Sequence, residues 1–429
     1  MAVGFVSIWA AVTNLARLGY PSAGFDEPYY ALAAWRYVHG DHAAPPAGTV
    51  GSFDNFEHPP LAKYLFGFAE LFAGHPSVVA ARVVAALCTL ATAVVLGLWI
   101  GSVAGRWTGL GAAALVALLP MSVPGLAFSF GRYAYLDVVA ELFAVGAVVL
   151  SWYWFRRDGR VGWRFALATG VCVGLATACK ENAFLGVIGP VLAGLVLTVR
   201  RPALGWQRLL QTAAAIGASA LVFVSSYLWL GHPASDISYL LRYQNYHAKV
   251  GHLVTFAGRV ALHPPWWAFA WFAQHGLGVG VTVVCLVCAV AAMVLRRDQL
   301  VLWCVTALAG PLLFHMFIAR VTLSFYWVMW MPALLALVAL GVAELAGLAR
   351  SRDVRLRRGG PIAAGLCVAL LTVVSLQGTY RTLTSRCPTA QGAASGERGP
   401  GALVLNCRAV VVTLGERVDE AQRASGRRQ

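Results

Sequence analysis

The strongest constraint on this chain is a recurrence. Apolar runs of about twenty residues return along most of its length, each long enough to cross roughly 30 Å of hydrocarbon. They fall at Met1 to about Tyr20 and near 78–100, 108–126, 136–155, 163–179, 182–199, 209–230, 276–295, 299–316, 323–346 and 361–379, about eleven in all. In lipid the backbone must satisfy its own hydrogen bonds, which helices do within one segment. The sequence therefore predicts an all-α polytopic membrane protein. The first run lacks a basic n-region and a small-x-small cleavage site, so it is expected to remain as a span. With 59% hydrophobic residues, 12% charged and a mean hydropathy of +0.68, an ordinary soluble domain is excluded.

In a soluble protein the net charge of +15 would point to nucleic acid. Here the arginines instead fall in short breaks between runs. These hold Arg106; Arg156, Arg157, Arg160 and Arg164; Arg200, Arg201 and Arg208; Arg296 and Arg297; and Arg350, Arg352, Arg355, Arg357 and Arg358. The breaks alternate, so the positive-inside rule makes them cytoplasmic and puts the N-terminus inside. The opposite connections, 21–76, 127–135, 180–181, 231–275, 317–322 and the tail 380–429, then face outward. All ten histidines and all three lysines (Lys63, Lys180, Lys249) fall on that side. Chemistry is expected on the extracellular or periplasmic face of the plasma membrane, carried by residues 1–379. The outward tail predicts a Cys387–Cys407 disulfide in an oxidising compartment, and a short strand-like run at Ala409 to Leu414. Cys285 and Cys288 form a CxxC inside an apolar run, where small residues serve helix packing.

The first outward loop, 21–76, concentrates Asp26, Glu27, Asp41, Asp54, Glu57, His58 and Lys63. Pro28 to His39 and Lys63 to Ala73 have helical spacing and read as interfacial helices. Asp26-Glu27 precedes the first of these. Acids there favour a helix N-terminus, yet neighbouring acids point apart, so one is free to cap while the other reaches a substrate. In Glu57-His58-Pro59-Pro60-Leu61-Ala62-Lys63 the prolines stiffen the backbone and aim Glu57 and His58, or simply turn the chain into a helix.

Gly131-Arg132-Tyr133-Ala134-Tyr135-Leu136-Asp137 opens a span from outside, with Glu141 one turn deeper. Ionisable groups at membrane depth are functional or paired, and an Arg132–Asp137 ion pair is the structural alternative. Cys179-Lys180-Glu181-Asn182 makes a tight outer turn where a lysine can meet a lipid phosphate or pair with Glu181. The second large loop, 231–275, carries His247, Lys249 and His252, then His263-Pro264-Pro265-Trp266-Trp267, an interface anchor. Arg320 and Tyr326 stand at the outer mouth of a later span.

In this order and topology the motifs resemble those of the GT-C membrane glycosyltransferases that use polyprenyl-phosphate sugars. The protein O-mannosyltransferases and the lipid A aminoarabinose transferases are the nearest kinds. The resemblance covers the first ten or so spans and rests on FDEPYY…HPPLAKYLFG, RYAYLD, CKEN, NYHAK and HPPWWAFAW. It implies a GT-C fold and a donor in which a sugar, mannose first, rides on a polyprenyl phosphate. The acceptor would be a protein, glycolipid or glycan hydroxyl. Asp26 would be the general base, supported by Glu27, while Asp137 places acceptor or sugar. Lys180, Arg132, Arg320, Lys63 and Tyr326 would hold donor and phosphate, with His58, His263 and Glu141 as further site residues. It also implies one divalent metal ion on Glu57 and His247, although Glu57 here precedes a histidine where the aminoarabinose transferases carry a lysine. The large lumenal insertion of eukaryotic mannosyltransferases has no counterpart of sufficient length here, which leaves the acceptor open.

Loss of one bond to a phosphate and gain of one to an acceptor oxygen, with one base and one phosphate clamp, predicts inversion at the anomeric carbon. The competing class is a lipid or sugar transporter, which would show repeat symmetry and charges at mid-span. The charges here cluster at one face. No P-loop or dinucleotide fingerprint is present, so neither a nucleotide cofactor nor a nucleic-acid partner is expected.

Overall fold

A computed structural model describes residues 2–19, 26–45, 54–121, 130–198, 202–323 and 325–384. Cys387, Cys407, Ala409–Leu414, Arg200 and Arg201, on which expectations were placed, lie outside the described residues.

The architecture is helical. In chain order come α1 (Ala2–Leu15), α2 (Glu27–His39), α3 (Leu61–Ala73), α4 (Val78–Ala104), α5 (Arg106–Leu118), α6 (Leu136–Arg156), α7 (Gly159–Cys179) and α8 (Leu185–Thr198). After these come α9 (Pro202–Ser226), α10 (Pro233–Val250), a hairpin of β1 (Val254–Phe256) and β2 (Arg259–Ala261), α11 (Ala268–Leu277), α12 (Val279–Leu295), α13 (Gln299–Leu313), α14 (Met331–Gly347) and α15 (Val354–Thr384). Among the described residues, seven helical segments are long and apolar enough to cross a membrane. The pair α11 and α12 qualifies together but bends by 107° at Gly278, and α1, α5 and α8 are shorter apolar helices.

Several span boundaries differ from the sequence reading, two of them by a change of architecture. The run near 276–295 does not continue as one rod, because Gly278 takes φ +80° and turns α11 across the end of α12. The run near 361–379 belongs to a longer helix, α15, of 31 residues, which carries the first five residues of the expected tail.

The core lies on α6 and α14, whose membrane windows are 56% and 67% buried, against 17% for the window containing α9. A Cβ on Gly341 of α14 would lie 1.8 Å from the Cys288 carbonyl oxygen, so the two helices touch backbone to backbone. That contact accounts for the buried Cys285 and Cys288, which pack as small helix residues.

The arginine-bearing connections gather at one end of the bundle. Arg208 pairs with Asp158 at 2.8 Å, Arg156 donates to Gln299 at 2.7 Å, and Arg296 meets Asp298 at 2.6 Å and Glu344 at 3.2 Å. The histidine- and lysine-bearing loops gather at the other.

Candidate active site

The site is built on α2 and α3. Pro28 in the first turn of α2 and a left-handed Gly40 at its end set that helix's length, and Pro60 and Gly74 do the same for α3. The two pack closely because Gly67 of α3 has no side chain: a Cβ there would stand 2.4 Å from the Ala34 carbonyl oxygen.

The paired acids at the start of α2 separate completely. Neither side chain caps the helix. Glu27 turns inward, fully buried, and receives Arg82 Nε at 2.8 Å, Arg82 Nη2 at 2.6 Å and the Ala134 amide at 2.7 Å. This bidentate pair pins the start of α2 to α4 and to the turn before α6. Asp26 turns the other way, into a cleft of about 370 Å³. Tyr30, one turn on, donates to its Oδ2 at 3.4 Å. Burial pushes the Asp26 carboxyl above its ordinary range, against the pull of Lys180 and His252.

The opposite walls of the cleft come from three other connections. Lys180, 1% exposed, ends α7 and reaches it beside Tyr326, whose ring centroid lies 5.3 Å from the ammonium. Burial opposes its charge, but Glu181, Asp137 and Tyr326 together hold the ammonium firmly protonated. His58 stands between neighbours, its Nδ1 3.4 Å from both Lys180 Nζ and Glu181 Oε2. Burial and Lys180 lower its pKa to about 4, so the ring is neutral at pH 7. Glu181 is drawn down to about 2 because Lys180 and His58 outweigh its burial. Gln244 of α10 bridges this group to the first loop, donating to the Glu57 carbonyl at 3.1 Å and to Glu181 Oε1 at 3.3 Å. Beneath, Asp137 opens α6 fully buried, with neither carboxylate oxygen hydrogen-bonded among the described residues.

Glu57 and His247, the expected metal pair, both line the cleft. Glu57 Oε2 and His247 Nε2 are buried without a hydrogen-bond partner among the described residues, and no third His, Cys, Asp or Glu joins them to make a group of three there. One carboxylate and one imidazole suit a borderline divalent ion that keeps waters or takes phosphate oxygens, and fall short of a closed zinc site.

The structure thus brings Asp26, Glu57, His58, Lys180, His247 and Tyr326 to one cleft, with Asp137 below it. Other expected site residues stand elsewhere. Lys63 is fully buried under the first loop, donating to the Asn55 carbonyl, to Asn55 Oδ1 at 3.3 Å and to the His58 carbonyl at 2.8 Å. Its ammonium holds the loop's shape and does not line the cleft. Arg132 makes no ion pair with Asp137; its guanidinium donates to the Thr13 and Ala16 carbonyls and ties down the end of α1. Glu141 is buried one turn below Asp137 in α6. His263 and Arg320 are exposed and meet each other, His263 Nδ1 lying 3.1 Å from the Arg320 carbonyl oxygen. Tyr30, Glu181, Tyr243 and Gln244 belong to the site although no motif singled them out as site residues, and His252, one of the histidines clustered in the second loop, lines it as well.

No family model matches the chain. Over 209 residues it is 28% identical to a polyprenol-phosphate-mannose–protein mannosyltransferase of Mycolicibacterium smegmatis. The match takes in 43% of this chain and only 38% of that protein's length. Among solved structures it aligns with ArnT from Cupriavidus metallidurans at a TM-score of 0.63 and 16% identity, over 90% of this chain and 78% of that one. The same protein bound to undecaprenyl phosphate gives 0.62 at 17% identity, over 89% and 77%. AglB from Archaeoglobus fulgidus, in complex with an inhibitory peptide and a dolichol-phosphate, gives 0.53 at 13% identity, over 91% and 56%. Identities this low speak for backbone and not for chemistry. The backbone agrees with the motifs, and the chain has the GT-C fold that these structures share.

Proposed function

We propose that the protein is a membrane glycosyltransferase that moves a sugar, mannose, from a polyprenyl phosphate to an acceptor hydroxyl. The observation carrying this reading is that Asp26 and Lys180, an anionic base and a fixed cation, face the same cleft at the end where the loops rich in histidine and lysine meet. The donor class is supported by the undecaprenyl phosphate and dolichol-phosphate bound in the ArnT and AglB structures, and the sugar by the mannosyltransferase relative.

The chemistry follows from the charges. An acceptor oxygen attacks the anomeric carbon while the bond from that carbon to the phosphate oxygen breaks. Asp26 takes the acceptor's proton, and the raised pKa of its carboxyl makes it a better base than an exposed aspartate. Negative charge collects on the departing lipid phosphate, where Lys180 stabilises it in a site shielded from water. His58 and Glu181 fix the lysine's position. The unpartnered oxygens of Asp137 are available to a sugar or acceptor hydroxyl. Glu57 and His247 would hold a divalent ion, which supplies further positive charge for the phosphate when bound. A single displacement of this kind inverts the anomeric carbon, and the positive-inside pattern supports a location on the outer face of the plasma membrane.

The test is transfer from synthetic polyprenyl-phosphate mannose into a membrane extract, wild type against Asp26→Asn. Label entering protein only with the wild type supports a protein mannosyltransferase. Full activity in the variant would remove Asp26 as the base. A second reading, transfer of another lipid-linked sugar such as arabinose or an aminosugar to glycolipid or cell-wall glycan, draws on the ArnT alignment over 90% of the chain. Label entering glycolipid, or transfer only from a non-mannose donor, would favour it.

A further inference from the structure

A second cavity, also of about 370 Å³, opens at the same end of the bundle as the cleft. It lies between α15 and the α11–α12 elbow, floored by the ends of α1 and α5. Glycines at 276, 278, 280 and 378 line it, so few side chains fill the space the bend creates.

Its polarity runs in one direction. Leu370, Val374, Gln377 and Arg381 succeed one another at three- or four-residue steps along one face of α15, apolar below and cationic at the outer end. Facing them from the elbow are Val281, buried, and His275, exposed. The His275 ring stacks on Trp271 at 4.7 Å and 13°, as expected of an interfacial aromatic pair. Among the described residues no aspartate or glutamate lines the cavity, in contrast to the cleft with Asp26 and Glu57. Below, the flanking surface is apolar and open, with Val283 53% and Val373 61% exposed.

We infer that this cavity binds a phosphate-bearing membrane lipid, its headgroup at Arg381 and His275 and its chains along α15 and α12. Arginine at the outer end of the last span suits a phosphate held at headgroup depth. The gradient from Leu370 to Arg381 matches the chain-to-headgroup gradient of such a lipid, and no carboxylate among the described residues lines the cavity to repel its phosphate. The site is separate from the proposed transfer chemistry and does not depend on it.

The experiment uses the full chain in detergent with photoactivatable phosphatidylglycerol, followed by mapping of the crosslinked peptides. Crosslinks are expected to concentrate on α12 and α15, to compete with unlabelled phosphatidylglycerol, and to fall at least tenfold in Arg381→Glu but not in Arg381→Lys. A photoactivatable diacylglycerol, which lacks the phosphate, should label the same peptides at least tenfold less in the wild type, a comparison that needs no variant to fold. Equal labelling by the two probes, or unchanged labelling in Arg381→Glu, would overturn the proposal. Competition by glycerol 3-phosphate alone at matched concentration would show a free-anion site and overturn the lipid assignment.

Discussion

Asp26 and Glu27 are neighbours in sequence and opposites in structure. Glu27 is buried with every demand met: two bonds from one guanidinium and a third from a backbone amide. Among the described residues, the Asp26 side chain has a single long bond, from Tyr30, and a cleft in front of it. The lysines repeat the contrast. Lys63 spends its donors on the carbonyls of the loop above it, while Lys180 stands at the cleft with a neutral imidazole, a carboxylate and an aromatic face around it. A buried charge that is fully bonded has nothing left to offer a substrate; one that is held but incompletely bonded is available for work.

The contrast is broken most directly by swapping the loss. Asp26→Asn is expected to lower the turnover rate about 1,000-fold, within the range for a lost general base, while leaving the melting temperature near wild type. Glu27→Gln should do the reverse. It leaves Arg82 buried without its counter-charge, a loss of about 3–5 kcal/mol of stability, so that activity disappears only as folded protein does. Thermal melting beside single-turnover transfer separates the two. Equal melting losses in both variants would end the distinction.

A smaller effect is expected at Lys180. Lys180→Met removes the fixed charge proposed to stabilise the phosphate and should lower turnover roughly 100-fold, with Lys180→Arg recovering part of it. pH sharpens this. Asp26 must be ionised to accept a proton, so the rate should climb tenfold per pH unit on the acid side of its raised pKa and level off above it. Lys180 and Glu181 keep their charges through neutral pH, so neither adds a limb near pH 7. If the acid limb survives unchanged in Asp26→Glu, another group is the base.

The helices were legible because apolar runs of span length permit little else, and the outer loops because charge sorts them. Glu57, His58 and Lys180 were legible as chemistry placed beside prolines or between spans. What escaped depends on pairing across the chain. Arg82 is the missed signal: an arginine within an apolar run must find a buried partner, and that partner is Glu27. Lys63 looked like a phosphate ligand because its acceptors are backbone carbonyls of residues 55 and 58, which no residue type announces. Glu181 and Gln244 enter the site through geometry alone, and Arg132 leaves it for the carbonyls at the end of α1. The bend at Gly278 was hidden inside a run that hydropathy reads as continuous.

Glu70 supplies an intermediate case and the smallest expected effect. It is fully buried in α3, facing away from the cleft, with Oε1 accepting from the Ser77 amide at 2.9 Å and Oε2 without a partner among the described residues. Burial lifts its pKa from 4.5 to about 8, with the Ser77 amide pulling weakly the other way. The folded protein therefore keeps a proton that the unfolded chain gives up. The stability this provides is complete below about pH 4.5 and drains away as pH rises toward 8. Glu70→Gln keeps the bond from Ser77 and removes the titration. Its melting temperature should fall less between pH 5 and 8 than that of the wild type, and sugar transfer should match wild type. A parallel decline in both proteins would mean that Glu70 is not the titrating group, and that a half-bonded carboxylate is tolerated here as readily as the fully bonded Glu27.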